Sequence, residues 1–283
     1  MQVTSYAKVN LTLDVGAKRA TDGYHPVRTV MVPITLADEV SLESADFIQV
    51  YCEPDVAGDP ERNLAYRAAE LLRGETGYTG GALIRIRKRI PVAGGLAGGS
   101  TNGAATLVGL NQLWGLGLPE ERLTALAIRL GSDVPFFVPS RPALVTGIGE
   151  VVQPITAPEP LWLVLATPAV AKSTGGVYAL FDELTEVERP DTEALLAALA
   201  TGDVKGVANS LGNVFEQVML PRHPEIGALK AAMLEAGALG ALMSGAGPSV
   251  FGVAKDQAAA ERIQAAITAL APFATVVQTL ASP

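Results

Sequence analysis

One stretch constrains this chain more than any other: Pro91-Val92-Ala93-Gly94-Gly95-Leu96-Ala97-Gly98-Gly99-Ser100-Thr101. It follows a segment at 82–90 in which apolar residues alternate with arginines, and it precedes an apolar run at about 101–114. That order predicts strand, loop, helix. Four glycines let the main chain approach a ligand and adopt conformations closed to other residues. Successive N–H groups can then point inward as an anion nest. A helix beginning near Ser100 adds its unpaired N–H groups and the positive end of its dipole. Ser100 and Thr101 are placed to cap that helix, or to reach a phosphate or its metal. The loop is not a Walker loop: Gly94 and Gly99 have the right separation, but Ser100 stands where the lysine belongs. It holds no GxGxxG dinucleotide fingerprint either. The competing reading is a glycine turn that only packs a helix on a sheet.

Around the loop, residues 3–15 alternate. Val3, Ala7, Val9, Leu11, Leu13 and Val15 share one face, and Lys8, Asn10, Thr12 and Asp14 the other, the signature of a half-buried strand. Asp22-Gly23 and Pro26 mark a turn, and a second strand is predicted at about 27–36. Helices are predicted at 63–73 and after Pro119, where proline and two acids suit a first turn and Gly131 an end. Three prolines between 154 and 160 mark the expected domain boundary, giving domains 1–155 and 156–283. Beyond it the pattern predicts a strand at 161–166, helices over about 173–235, and strands near 239–243, 249–254 and 273–280, with a helix at 256–270. Helices set beside mostly antiparallel strands make the fold class α+β.

Composition narrows the function. The chain has 283 residues, long for one core. A net charge of −8 gives nucleic acid no general attraction. Cys52 is the only cysteine, so no disulfide forms within the chain, which fits a reducing cytoplasm. The N-terminus lacks the pattern of a signal peptide. The uncharged runs 97–119 and 236–254 are interrupted by glycines and amides and read as buried rather than membrane-spanning. The expected partners are therefore small molecules, with neither nucleic acid nor membrane, on a monomer or homodimer. No Cys/His cluster or HExxH motif offers a metal site. The basic residues Arg85, Arg87, Lys88 and Arg89 read mostly as a solvated strand face, and Lys88 is close enough to the loop to help attract phosphate.

Three stretches in order, AKVNLTLDV near the N-terminus, the PVAGGLAGGST loop and LMSGAGPSVFGV at 242–253, together resemble the GHMP kinase superfamily of galactokinase, homoserine kinase and mevalonate kinase. Tyr6–Leu11, Asp22-Gly23-Tyr24-His25, Asn63-Leu64 and Gly131–Phe137 resemble the branch that phosphorylates a hydroxyl of cytidine-diphosphate-linked methylerythritol, a step of the non-mevalonate isoprenoid pathway. The resemblance implies two α+β domains with the active site in the cleft between them, ATP as phosphoryl donor and Mg2+ as cofactor. The sequence departs from the family pattern in Ser100-Thr101-Asn102-Gly103, where Ser-Ser followed by Asp or Asn and then Ala is usual, and at Ala246, where Gly-Ser-Gly is usual. The second change removes a hydroxyl but leaves the roles of the flanking glycines.

The resemblance assigns catalysis to Lys8 and Asp133. A carboxylate beside the acceptor hydroxyl takes or orients its proton, and a lysine stabilises the charge that develops. The plain alternatives are a solvated lysine and an aspartate that caps a turn or helix. Residues 91–101, Asn63 and Lys88 are expected on ATP; Asn63 also fits a helix N-cap. Asn10, Tyr24, His25 and Tyr178 are expected on the substrate. Tyr24 stacks on the base, His25 bonds its edge, and Tyr178 offers a second stacking face or simply packs. A kinase for homoserine or mevalonate, and a nucleotide-binding regulator without catalysis, are the alternatives.

Overall fold

A computed structural model describes residues 1–55, 60–157, 159–170 and 174–282. Pro158 of the expected boundary and residue 173 of the expected helical region lie outside the described residues. The strands are β1 (Gln2–Val15), β2 (Val27–Ala45), β3 (Gln49–Glu53), β4 (Gly81–Arg87), β5 (Ala143–Thr146), β6 (Val151–Pro154), β7 (Trp162–Thr167), β8 (Gly212–Asn213), β9 (Gly240–Met243), β10 (Val250–Ala254) and β11 (Phe273–Gln278). The α-helices are α1 (Leu64–Thr76), α2 (Gly98–Leu113), α3 (Glu120–Ala127), α4 (Thr174–Phe181), α5 (Thr192–Thr201), α6 (Val204–Asn209), α7 (Glu216–Met219), α8 (Pro224–Glu235) and α9 (Gln257–Ile267).

Two compact units form, and their segments interleave along the chain. The first holds 1–7, 36–92 and 97–140; the second holds 8–35, 93–96 and 141–283. The reason is the length of β1 and β2, which span 14 and 19 residues and each contribute to both units.

In the first unit β4 pairs antiparallel with the later part of β2, and β3 adds parallel to β4. Helices α1 and α2 pack together. The buried face of α1 is Ala65, Ala68, Ala69 and Leu72, at helical spacing. Small residues bring the two helices close: a Cβ at Gly103 would stand 3.1 Å from Leu64 Cβ. Helix α2 is buried on nearly all sides, which explains its uncharged sequence. Its Asn111 is satisfied by exchanging two hydrogen bonds with the main chain of Leu118, each 3.0 Å. Among the described residues no helix is long and apolar enough to cross a membrane.

In the second unit β11, β7, β10 and β9 form an antiparallel sheet in that order. Val164, Ala166, Val250 and Met243 pack with Ile226, Leu229 and Met233 of α8 and Ile263 and Ile267 of α9 in one core. Each buried Val, Leu, Ile or Met side chain among them contributes about 1.5–3 kcal/mol. The N-terminal part of β2 pairs with β5, β5 with β6, and the end of β1 runs parallel to β8. This is the predicted α+β class.

Strand β1 departs from expectation in one respect that matters for the site. It is buried on both faces: Lys8 and Asn10 are each 3% exposed and Thr12 is fully buried. Their polar groups therefore need partners inside the protein.

Candidate functional site

The loop between β4 and α2 divides between the units. Its stems, Pro91-Val92 and Ala97 onward, belong to the first unit, and its apex, Ala93–Leu96, to the second. The left-handed region is occupied at every second residue: Ala93 (φ 55°), Gly95 (80°) and Ala97 (56°). Two of these are alanines, each costing about 1–2 kcal/mol there. Gly95 alone among the loop glycines is left-handed, and it is irreplaceable for a second reason. A Cβ there would lie 2.2 Å from Ser244 O.

Helix α2 begins at Gly98, two residues before Ser100, with Ala97 at the cap position and no side-chain cap. The expected capping by Ser100 and Thr101 is thus corrected. Both lie within the first turn, and Thr101 is buried with its Oγ1 accepting from Ser5 Oγ at 3.0 Å. The first intrahelical bond here runs from Thr101 N–H to Ala97 O. An uncapped first turn after left-handed residues presents donors suited to a phosphate.

Lys8 Nζ donates to Asn10 Oδ1 at 2.5 Å and to Gly95 O at 3.1 Å, so β1 holds an ammonium against the loop apex. Asn10 Nδ2 donates to Thr29 Oγ1 at 2.8 Å, fixing the amide's orientation. The third motif closes on the same place. Ser244 Oγ donates to Gly95 O and Ser249 N–H to Gly94 O, at 3.2 and 3.1 Å. Gly245 and Gly247 are both left-handed, as the flanking glycines of that motif were expected to be needed. A Cβ on Gly245 would stand 3.2 Å from Lys8 Nζ. Asn213, which the sequence reading missed, clamps this turn by donating to Met243 O and Gly245 O at 2.7 and 2.8 Å.

Tyr24 is 55% exposed and sits on a turn in which its N–H donates to Asp22 Oδ1 at 3.0 Å. The Arg19 guanidinium, and then that N–H, hold the Asp22 carboxyl below its ordinary value. His25 is buried. Its Nδ1 is 2.9 Å from Gly16 O and its Nε2 is 3.3 Å from Asp182 Oδ1. Its ring lies 5.2 Å from that of Tyr178, which in turn meets Phe215 edge-on at 4.8 Å. His25 and Tyr178 are thus brought together, with the imidazole nitrogens turned to protein oxygens.

In the first unit, Asn63 is the N-cap of α1, its Oδ1 accepting from Ala65 N–H at 2.9 Å. Asp133 lies half-buried in a turn before a 3-10 helix at Pro135–Phe137, whose cap position falls to Val134. The capping alternative for Asp133 is therefore not realised at that helix. Lys88 is not a solvated cation. Its side chain is 7% exposed and pairs with the fully buried Asp38, while Arg85, Arg87 and Arg89 are at least half exposed.

Two family models match the chain: the GHMP kinases N terminal domain over residues 63–141 and the GHMP kinases C terminal over residues 195–272. With the α+β units and the glycine loop, they define the class as GHMP kinase. A curated 4-diphosphocytidyl-2-C-methyl-D-erythritol kinase from Symbiobacterium thermophilum is 59% identical over 99% of this chain and 100% of its own length. A crystal structure of 4-(cytidine 5'-diphospho)-2C-methyl-D-erythritol kinase superposes with a TM-score of 0.85 at 34% identity, covering 100% of both chains. A homoserine kinase from Cytophaga hutchinsonii shares the fold, with a TM-score of 0.76 at 21% identity over 99% of this chain and 94% of its own. The chain belongs to the 4-diphosphocytidyl-2-C-methyl-D-erythritol kinase family.

Proposed function

We propose that this chain transfers the γ-phosphoryl group of ATP to a hydroxyl of 4-diphosphocytidyl-2-C-methyl-D-erythritol. The observation that carries the reading is full-length similarity, 59% over 99% of the chain, joined to an uncapped first turn behind a glycine loop. The two family matches fall on either side of residue 155, which supports an N-terminal family domain within 1–155 and a C-terminal one within 156–283.

In this reading the loop 91–101 receives the ATP phosphates and Asn63 lies on the adenine side. Lys88 acts through the loop's framework, since its charge is already matched by Asp38. The acceptor oxygen attacks the γ-phosphorus, the bond to the β,γ-bridging oxygen breaks, and ADP leaves. Asp133 takes or orients the hydroxyl proton, and Lys8 stabilises the charge on the transferring group. Among the described residues no three acids, histidines or cysteines cluster as a metal cage. Mg2+ would arrive with the nucleotide, the Ser100 hydroxyl would be its protein contact, and it would supply neutralisation of phosphate charge. A small biosynthetic enzyme of this kind works in the cytoplasm.

Asn10, Tyr24, His25 and Tyr178 serve the acceptor. Because the His25 ring nitrogens face Gly16 and Asp182, the main chain at 25 is what bonds a base edge. The overall reading is tested by following ADP release from ATP, Mg2+ and the cytidyl acceptor. Turnover inhibited by CDP and untouched by a bare polyol phosphate supports it. Binding of ATP without turnover on any acceptor restores the regulator reading, and turnover on homoserine or mevalonate moves the chain to another branch. Tyr24→Ala removes an exposed ring worth about 1–3 kcal/mol of base stacking, so the KM for the acceptor is expected to rise about 5- to 150-fold with the KM for ATP unchanged. Steady-state kinetics in both substrates checks this; an unchanged acceptor KM ends the stacking role.

A further inference from the structure

The stems of the phosphate loop meet on one carboxylate. Asp38, in β2, is fully buried. Its Oδ1 accepts from the N–H groups of Arg89 and Ile90 at 2.7 and 2.9 Å, just before the loop. Its Oδ2 accepts from Asn102 Nδ2 at 2.9 Å, in α2 just after the loop, and from Lys88 Nζ. Lys88 Nζ also donates to Asn102 Oδ1 at 3.0 Å. Asn102 Nδ2 further donates to Ser5 Oγ at 2.9 Å, and that hydroxyl donates to Thr101. Every side-chain oxygen and nitrogen of Asp38 and Asn102 is thus engaged across the loop's base. A Cβ on Gly98 would stand 3.1 Å from Lys88 Nζ, so the first residue of α2 is packed directly on this pair.

We propose that Asp38, acting with Lys88 and Asn102, is a positioning residue for the donor nucleotide. It fixes the separation of the strand stem from the helix stem, and so the aim of the N–H groups at 98–100. The inference rests on the reading of this loop as the ATP phosphate site. It also explains why a full cationic charge lies beside that site without being exposed to it. A buried ion pair contributes little net stability but holds a geometry that its hydrogen bonds define. Such a pair suits a loop whose function depends on sub-ångström placement.

Asp38→Asn separates the two halves of the device. The retained oxygen still accepts from Arg89 and Ile90, but the new amide sets a third donor against Lys88 Nζ and Asn102 Nδ2. Asn102→Ala cuts the helix side alone and leaves the ion pair. The experiment titrates the full-length chain and both variants with Mg2+ and β,γ-imido-ATP by calorimetry, with KM for the cytidyl acceptor and thermal midpoints measured in parallel. The Kd for the analogue is expected to rise about tenfold in Asp38→Asn and several-fold in Asn102→Ala, with the acceptor KM within about twofold. An unchanged analogue Kd with a lowered midpoint makes the network a stability brace and overturns the proposal; Asn102→Ala decides the matter if Asp38→Asn does not fold. Failure of the unaltered chain to bind the analogue would instead overturn the ATP reading itself.

Discussion

Replacing Asp133 by asparagine is expected to lower kcat about a thousandfold, within the range seen for loss of a positioned acid or base, while ATP affinity stays within about twofold. Asparagine keeps the shape and the acceptor oxygen but cannot receive a proton. Its amide can still orient the acceptor hydroxyl, so the residual rate measures orientation alone. The fold should tolerate the change. Asp133 is half-buried, and the cap position of the following 3-10 helix is Val134, so no helix is uncapped. ADP release under saturating substrates, with a melting curve for each protein, checks the prediction. A variant that keeps more than a tenth of the parental kcat would show that the proton leaves by another route, and Asp133 would lose its place as base.

Much of this was legible in the sequence because the signals are local. Period-two patterns found most of β1 and β4, glycine spacing found the loop, and Asn63 announced the cap of α1. The strands that escaped are short or weakly patterned. Strand β8 has two residues and exists only by pairing with Thr12 and Leu13, while β6 is largely exposed. Interleaved units were invisible because a strand's passage from one core to another leaves no mark in its alternation. Polar burial was the larger omission. Lys8, Asn10 and Thr12 read as a solvent face by period, yet tertiary partners cover them. Asp38 did leave a trace: it shares strand parity with Val40 and Leu42, both fully buried, so a charged residue stood on a core face. Charge on that parity signals a paired carboxylate, and Lys88, three residues before the loop, is its partner. The left-handed alanines at 93 and 97 had no such signal, since glycine was the residue expected to carry that conformation.

Lys8→Met is expected to lower kcat by at least about a hundredfold without unfolding the chain, since removing one preorganised charge from a transition state costs about that much. Lys8 is 3% exposed and its ammonium is fixed by Asn10 Oδ1 and Gly95 O, so it is aimed before any ligand arrives. Methionine keeps the length and most of the volume, and the Asn10–Thr29 bond persists, so the thermal midpoint should move by no more than roughly 5 °C. Arginine should not rescue activity. The guanidinium is broader than an ammonium, and the space beside Nζ is so small that a single Cβ on Gly245 would come within 3.2 Å. The diagnostic comparison is kcat against midpoint across Lys8→Met and Lys8→Arg. If both variants keep parental kcat and only the midpoint falls, Lys8 is a buried strut between β1 and the loop apex. If kcat falls in both while Lys8→Met melts with the parent, the compact ammonium at position 8, and not positive charge alone, serves the reaction rather than the fold.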